Sequence, residues 1–388
     1  MHVAYIITKL ELGGAQKVCL SLREGLQRDE ISVSLISGRE GPLVPDVEGQ
    51  EGIHLITSIK REIGFFSIFR EVKAFLKVIK TLRKIRKENK NCVAHTHSTK
   101  AGVFGRWAAF FAGIKHRVHT VHGFGFHADQ SKLIWLIVYL FELFTAPITS
   151  HFVCVSSADR KLGSKILPFF KRRSSVIRAA VDFHIFQKSE LHKFPQGKDP
   201  FIIGTVSCFK PQKNLLDLVE AFAIAKKQIP GRALELHVLG DGVMRPQIEA
   251  KIKSFGIEKE VKLLGWQSDV AKHLHGWHLM AMSSLWEGLP CAVVEARLSK
   301  IPVVAYDVGG IYEIIKDNKN GFLINPKDIK GLAVKLARVA SDEITYKSMC
   351  RYGDDLDGFS LEKMVAQHEE LYRRLTGEIQ QAAGECEK

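Results

Sequence analysis

No two cysteines of the chain form a Cys-x-x-Cys pair: Cys19, Cys92, Cys154, Cys208, Cys291, Cys350 and Cys386 are seven in number and scattered over 388 residues. An odd, unpatterned set reads as reduced thiols in a cytosolic protein and not as a disulfide framework. Apolar runs are short as well. None reaches the roughly 20 residues of a membrane span, and the first residues lack the basic region, long apolar run and small-residue site of a secretory signal. Low-complexity tracts are absent. The scarcer charge is the negative one, 42 Asp and Glu against 56 Lys and Arg, which leaves a formal net charge of +14. That surplus suggests an anionic partner, whether nucleic acid, acidic lipid or a phosphorylated substrate, and says nothing about fold. What is there is 46% hydrophobic and 25% charged, the composition of a soluble globular protein. The length is too great for one core and comfortable for two domains of about 180 residues each.

The most informative stretch runs from Ser283 to Glu313 and reads SSLWEGLPCAVVEARLSKIPVVAYDVGGIYE. Glu287 and Glu295 stand eight positions apart, and Gly288, Leu289 and Pro290 follow the first, as in a loop passing into a helix with Pro at its first position. Such a helix start aims free N–H groups and the positive end of its dipole at whatever lies in front of Glu287, which suits a phosphate. Glu295, among Ala292, Val293, Val294 and Ala296, sits on a helix buried over most of its circumference and needs a hydrogen-bonding partner. Ile301 to Asp307 reads as a short buried strand, Gly309 and Gly310 turn the chain, and Glu313 opens another helix.

A bare pair of Glu at this spacing fits an ordinary α/β unit with one exposed and one salt-bridged carboxylate. The whole string, with Pro-Val-Val-Ala and Asp-Val-Gly-Gly behind the pair, resembles the signature of the retaining family 4 glycosyltransferases. The resemblance implies the GT-B fold: α/β, with two Rossmann-like doubly wound parallel-sheet domains facing a cleft. The expected divisions are residues 1–190 for an acceptor-binding domain, 199–355 for a nucleotide-sugar-binding domain, and 356–388 for a helix crossing back to the first domain plus a polar tail.

In chain order, His2 to Thr8 reads as a first parallel strand leading through Gly13-Gly14 into an amphipathic helix. A glycine pair there lets backbone approach a ligand, and a tight turn without a ligand reads about as well. Its position matches the family's glycine loop, which makes Gly13 and Gly14 candidate donor-binding residues. Ile31 to Ser37 and Ile53 to Thr57 read as the next strands. Between Lys60 and Lys90, eleven Lys or Arg meet three Glu. Lys73, Lys77, Lys80, Lys84 and Lys87 recur at steps of three and four from Arg70, beside Phe69, Val72, Leu76, Ile79 and Leu82, as in a basic amphipathic helix. Such a helix either covers a sheet with its outer face solvated or contacts an anionic membrane, where each basic residue near the surface contributes about 1 kcal/mol.

Val93 to Gly113 resembles the strand, loop and helix of family members acting on lipid-linked sugars. The His-Gly-Phe string within Arg117 to His127 resembles the family's active-site loop, so His122 is the candidate beside the donor sugar. His95, His97, His116, His119 and His127 invite a metal reading. No zinc-ligand spacing appears, however, and His119 and His122 would alternate faces of a strand, so core or surface histidines are the expectation. The nine apolar residues Leu133 to Phe141 are too few to span a bilayer and read as a buried helix in preference to one dipping into the lipid interface. Ser156 or Ser157 caps the helix that follows the strand at His151. Arg178-Ala179-Ala180-Val181-Asp182 departs from the family's Asn-Gly-Val-Asp, and Gln187 to Pro200 reads as a polar linker.

The second half starts with FIIGTVSCFKPQKN. The family carries Gly-Arg and then Lys here, two cations that grip the donor diphosphate. Cys208 replaces the Arg, and a thiol cannot substitute for a guanidinium fork. Lys213, with Lys210 added, is expected to neutralise the diphosphate, and the helix start at Gly288, Leu289 and Pro290 to carry more of that charge than usual. Lys300 replaces a Gly that the family has before the following strand.

Breaking a sugar–diphosphate bond requires charge to be stabilised on the leaving group, which preorganised cations and backbone N–H groups supply. By resemblance, Glu287 bonds the donor sugar, Glu295 the ribose hydroxyls, and the leaving phosphate accepts the acceptor's proton. No metal is implied, since no Asp-x-Asp motif appears at a suitable loop, and no cofactor beyond the nucleotide sugar as co-substrate. The expected function is retaining transfer from a nucleotide-diphosphate sugar, a UDP-sugar, to a glycan or lipid-linked acceptor in cell-surface polysaccharide synthesis. The expected place is cytoplasmic, peripheral on the inner face of an anionic cytoplasmic membrane, with no nucleic-acid partner. The alternatives are a nucleotide-sugar epimerase of the same fold and a non-enzymatic basic binding subunit.

Overall fold

The computed structural model describes residues 1–60, 68–125, 130–188 and 190–379. Arg61 and Glu62 of the basic stretch, His127, Cys386 and the end of the polar tail lie outside the described residues. The chain divides into two compact units, Met1–Ala180 with Leu361–Lys388, and Val181–Ser360.

In the first unit the chain alternates strand and helix: β1 (His2–Ile6), α1 (Gly14–Arg28), β2 (Ser32–Ser37), β3 (Ile53–Leu55), α2 (Ile68–Glu88), β4 (Cys92–His97), α3 (Thr99–Phe111), β5 (His116–Val121), α4 (Lys132–Thr145), β6 (His151–Cys154), α5 (Ser157–Ile166) and β7 (Ser174–Val176). The strands form one parallel sheet in the order β3-β2-β1-β4-β5-β6-β7. A sheet covered on both faces needs strands that are apolar on both faces, and every residue of β1 is buried. The order reverses between β1 and β4, so a crevice opens at their carboxyl ends. Ser156 is the N-cap of α5, accepting from the Asp159 N–H.

The basic helix α2 divides its apolar residues between two surfaces. Ala74, Val78, Ile79, Leu82 and Ile85 enter the core with α3, whereas Ile68, Phe69, Val72 and Leu76 stay exposed, Phe69 by 85%. The expectation for Leu133 to Phe141 fails in the same direction. Helix α4 is not buried: Leu133, Ile134, Leu136, Ile137, Leu140, Phe141 and Phe144 are all exposed large apolar side chains. Only part of its surface, with Trp135, Val138, Tyr139 and Leu143, packs on the core. The helix is fixed from beneath by a buried ion pair, in which Arg106 Nη2 lies 2.9 Å from both carboxylate oxygens of Glu142 while Nη1 donates to Thr149. Periodicity could not show this, because a continuous apolar run has no polar side to reveal which face is left uncovered.

The second unit holds α6 (Phe183–Phe186), β8 (Phe201–Val206), α7 (Leu215–Gln228), β9 (Leu234–Leu239), α8 (Arg245–Phe255), β10 (Val261–Gly265), α9 (Val270–Leu274), β11 (Leu279–Met282), α10 (Cys291–Leu298), β12 (Val303–Tyr306), α11 (Ile311–Ile314), β13 (Gly321–Ile324), α12 (Ile329–Ser341) and α13 (Glu343–Arg351). Its six strands are parallel in the order β10-β9-β8-β11-β12-β13, reversing between β8 and β11. The stretch expected as a linker is packed onto this unit. His192 bonds the Ser299 carbonyl, and Phe194 lies beside Phe201 and Tyr346 with Arg232 over its ring. The last helix, α14 (Leu361–Thr376), returns to the first unit, where Val365 fills the space left by the missing side chain of Gly25.

Candidate active site

In the second unit, β8 and β11 flank the strand reversal, and the segments leaving their carboxyl ends are sewn together. Leu285 N–H donates to the Gln212 carbonyl and the Gln212 amide donates to the Trp286 carbonyl, both at 2.8 Å. The Ser283 hydroxyl donates to the carbonyls of Lys213 and Asn214. These bonds hold the two predicted charged residues against each other. Lys213 Nζ lies 2.5 Å from Glu287 Oε1, with both side chains largely shielded from water. Lys210, half-buried, opens the same turn.

The loop ahead of α10 is fixed from behind by the glycine turn. Gly310 N–H donates to the Gly288 carbonyl, and Gly309, at φ +56°, would place a Cβ 2.0 Å from the Glu287 carbonyl oxygen. Any side chain at 309 would push this loop away. Pro290 is the N-cap of α10 rather than its first helical residue, and its side chain makes no capping hydrogen bond. Within this first turn the Val293 N–H donates to the Pro290 carbonyl at 3.0 Å, and the positive end of the helix dipole faces the Glu287 loop. Gly288, Leu289 and Pro290 are themselves buried, and Glu295 on α10 is only 5% exposed.

Two departures now have a physical description. Where Cys208 replaces an arginine, a guanidinium does stand nearby: Arg245 lies 6.0 Å from the Phe209 ring, but it is held by Asp241 and Glu249 at 3.1 and 3.0 Å. Lys300, in the place of a glycine, adopts φ +60° behind α10 and donates to the Arg297 carbonyl while Ile301 donates to that of Ala296. That is a helix end suited to glycine, occupied by a residue that bears the steric cost of the left-handed region.

In the first unit, Gly13 is the N-cap of α1 and Gly14 its first residue. Gly14 is exposed, and a Cβ built on it meets nothing within 4 Å. Internal packing therefore does not require this glycine, and what it leaves open is access to backbone. At the strand reversal, Thr8 after β1 and Ser98 after β4 share a hydrogen bond of 3.2 Å, with Ser98 at φ +70°.

His122 lies just past β5, and its Nε2 is 2.9 Å from Nδ1 of His97, the last residue of β4. Sequence spacing groups His97 with the core histidines, since nothing in it shows that β4 and β5 end side by side. His95, two residues earlier on the same face, bonds the Tyr372 hydroxyl of α14 at 2.5 Å and Thr120 at 2.7 Å, and Tyr372 in turn bonds Tyr5. His119 points away from this set, to Thr96 and under Gly102. Burial keeps these rings neutral, pushing His122 down to about 3, His368 to about 4, and His95, His97 and His119 well below the ordinary value. Among the described residues no group of three or more His, Cys, Asp or Glu is placed to hold a metal ion.

Two parallel α/β units, each with its candidate ligands outside the carboxyl ends of strands at a reversal of strand order, define the GT-B class of glycosyltransferase. Residues 12–184 match the model of Glycosyltransferase Family 4, and residues 187–355 that of Glycosyl transferases group 1. The chain belongs to the family 4 glycosyltransferases. It is 29% identical over 383 residues, 96% of each chain, to the UDP-Gal:alpha-D-GlcNAc-diphosphoundecaprenol alpha-1,3-galactosyltransferase of Escherichia coli. Among solved structures it is similar to Anabaena HepE in complex with UDP-glucose, with a TM-score of 0.78 and 20% identity over 96% of this chain and 99% of that one. It is also similar to sucrose-phosphate synthase from Thermosynechococcus elongatus, with a TM-score of 0.81 and 18% identity over 98% of this chain and 100% of that one.

Proposed function

We propose that this glycosyltransferase moves a sugar from a UDP-sugar to a glycan carried on a lipid diphosphate, with retention of anomeric configuration. The observation that carries the reading is the contact of Lys213 with Glu287 beside the start of α10. It puts a cation, a carboxylate and a helix N-terminus at one strand reversal, groups suited to the departure of a diphosphate from a sugar. Lys213, assisted by Lys210 and by the backbone at Gly288 to Pro290, takes the leaving diphosphate. Glu287 accepts from the donor sugar, Glu295 from the ribose hydroxyls, and His122 lies beside the sugar as a neutral N–H donor. The acceptor hydroxyl gives its proton to the departing phosphate as its oxygen bonds the anomeric carbon, so no protein nucleophile takes part. The UDP-sugar and the diphosphate-lipid acceptor are supported by the relative from Escherichia coli, whose name specifies both. The test is incubation with a panel of UDP-sugars, with and without undecaprenyl-diphosphate-linked acceptors. Acceptor-dependent release of UDP with a glycosylated lipid supports the reading, whereas conversion of the UDP-sugar with no acceptor present would establish the epimerase instead.

The same reading places the enzyme on an anionic membrane. Lys73, Lys77 and Lys80 of α2 share a shallow groove with exposed Phe69, Val72 and Leu76, and α4 presents its own apolar face in the same unit. Cations interleaved with exposed apolar side chains suit an interface of acidic headgroups over acyl chains. None of the described helices is long and apolar enough to cross a membrane. Reversal of Lys73, Lys77 and Lys80 to Glu should release the protein from vesicles containing phosphatidylglycerol. Unchanged co-sedimentation refutes the membrane part and leaves the transferase reading intact.

A further inference from the structure

Among the buried groups that this chemistry leaves unused, His97 stands out. Its Nδ1 is bonded to Nε2 of His122 at 2.9 Å, while its own Nε2 is buried without a hydrogen-bond partner among the described residues. Among the described residues, aromatic rings surround it in tilted contacts, with centroids at 4.5 Å for His95, 5.5 Å for Tyr5 and 5.2 Å for His122, and His119 and His368 lie beyond. A neutral imidazole carries one N–H and one acceptor nitrogen. Had His97 the proton on Nε2, a buried N–H would be left unsatisfied, the rarer and costlier arrangement. With the proton on Nδ1, only a lone pair is unsatisfied and the N–H is used in the bond to His122.

We infer that His97 is a positioning residue that donates its Nδ1–H to Nε2 of His122 and thereby fixes His122 in the tautomer whose proton is on Nδ1. The partner of one ring nitrogen sets which atom the other offers. His122 accordingly meets the sugar with a defined, neutral N–H donor and one ring orientation. His95 plays a supporting part: clamped by Tyr372 and Thr120, it packs against the His97 ring at 4.5 Å between centroids. The inference rests on the proposed contact of His122 with the donor sugar, but its test separates the two.

Three variants of the full chain decide it. His97→Asn keeps an N–H close to the Nδ1 position, His97→Gln moves it toward the Nε2 position, and His97→Phe removes it. Residues that orient a metal-ligating histidine typically cost about 10–100-fold when lost; with the same kind of orienting bond here, kcat should fall by about that factor in the Phe and Gln variants, with KM for the UDP-sugar unchanged. The Asn variant should recover most of the loss. Nitrogen-15 spectra of the histidine rings should show His122 with unprotonated Nε2 in the wild type and a mixture of tautomers in His97→Phe. Wild-type kcat in the Phe and Gln variants, an Asn variant no better than Gln, or an unchanged His122 tautomer would overturn the inference. Should the Phe variant not fold, the Asn and Gln contrast carries the same test. Full kcat in His122→Ala would instead sink the sugar contact of His122, leaving the tautomer measurement to stand or fall by itself.

Discussion

Replacing Lys213 by Met separates the two tasks assigned to its ammonium group. The pair with Glu287 is closed at 2.5 Å, and the carboxylate side chain is only 8% exposed, against 21% for the lysine. Removing the cation leaves Glu287 shielded from water without its ion-pair partner, at a cost of about 1–3 kcal/mol in stability. For a unit of this size each kcal/mol lowers Tm by about 2–4 °C, so the second unit should melt several degrees earlier. The catalytic loss is separate: one preorganised group stabilising developing charge is worth about 2.7–4 kcal/mol, or about 100–1000-fold in kcat. The double variant Lys213→Met/Glu287→Gln removes both charges and should recover most of the stability with none of the activity. Differential scanning calorimetry and a UDP-release assay read the two effects. A single variant within threefold of wild-type kcat/KM would refute Lys213 as the group that takes the diphosphate. A double variant no more stable than the single one would refute the account of Glu287.

Glu295→Gln should weaken UDP binding by about 5–150-fold, the cost of about 1–3 kcal/mol for disturbing a buried hydrogen-bonded group, as read by calorimetric titration; unchanged affinity removes the ribose assignment. Lys300→Gly should stabilise the second unit by about 1–2 kcal/mol, because it relieves the left-handed conformation at φ +60°; an unchanged Tm contradicts this. Gly14→Ala has room for its Cβ and should leave Tm unchanged or raised by an amount equivalent to about 0.4–1 kcal/mol. It should nevertheless lower kcat/KM if substrate approaches that backbone; full activity refutes the approach. Acidification should destabilise the first unit. Its buried histidines have folded values depressed to about 3 for His122 and about 4 for His368, below the unfolded value of about 6.5. The unfolded chain therefore binds more protons, and stability, complete above pH 6.5, falls progressively as pH drops toward those depressed values. Each such histidine contributes up to about 1.4 kcal/mol per pH unit within that window, and a Tm constant between pH 7 and 5 would contradict it.

The sequence alone reached the fold class because each half repeats one local pattern, an apolar strand, a turn and an amphipathic helix, and such repeats close into parallel sheets with little choice. It also marked Glu287, Glu295 and His122 as candidates, because a Glu pair beside a helix start and a His-Gly-Phe loop are contiguous in the chain, and Lys213 as the cation of the turn after a strand. Contacts between distant segments were decided by tertiary structure. Lys213 meets Glu287, 74 residues away in sequence, because β8 and β11 are neighbours. His97 meets His122 because β4 and β5 end side by side, and Tyr372 reaches His95 from 277 residues away. The exposed face of α4 was hidden for a different reason. An apolar run states how much surface prefers to leave water, while the core available beside it, here one buried Arg106–Glu142 pair and a narrow packed strip, decides how much of that surface does so.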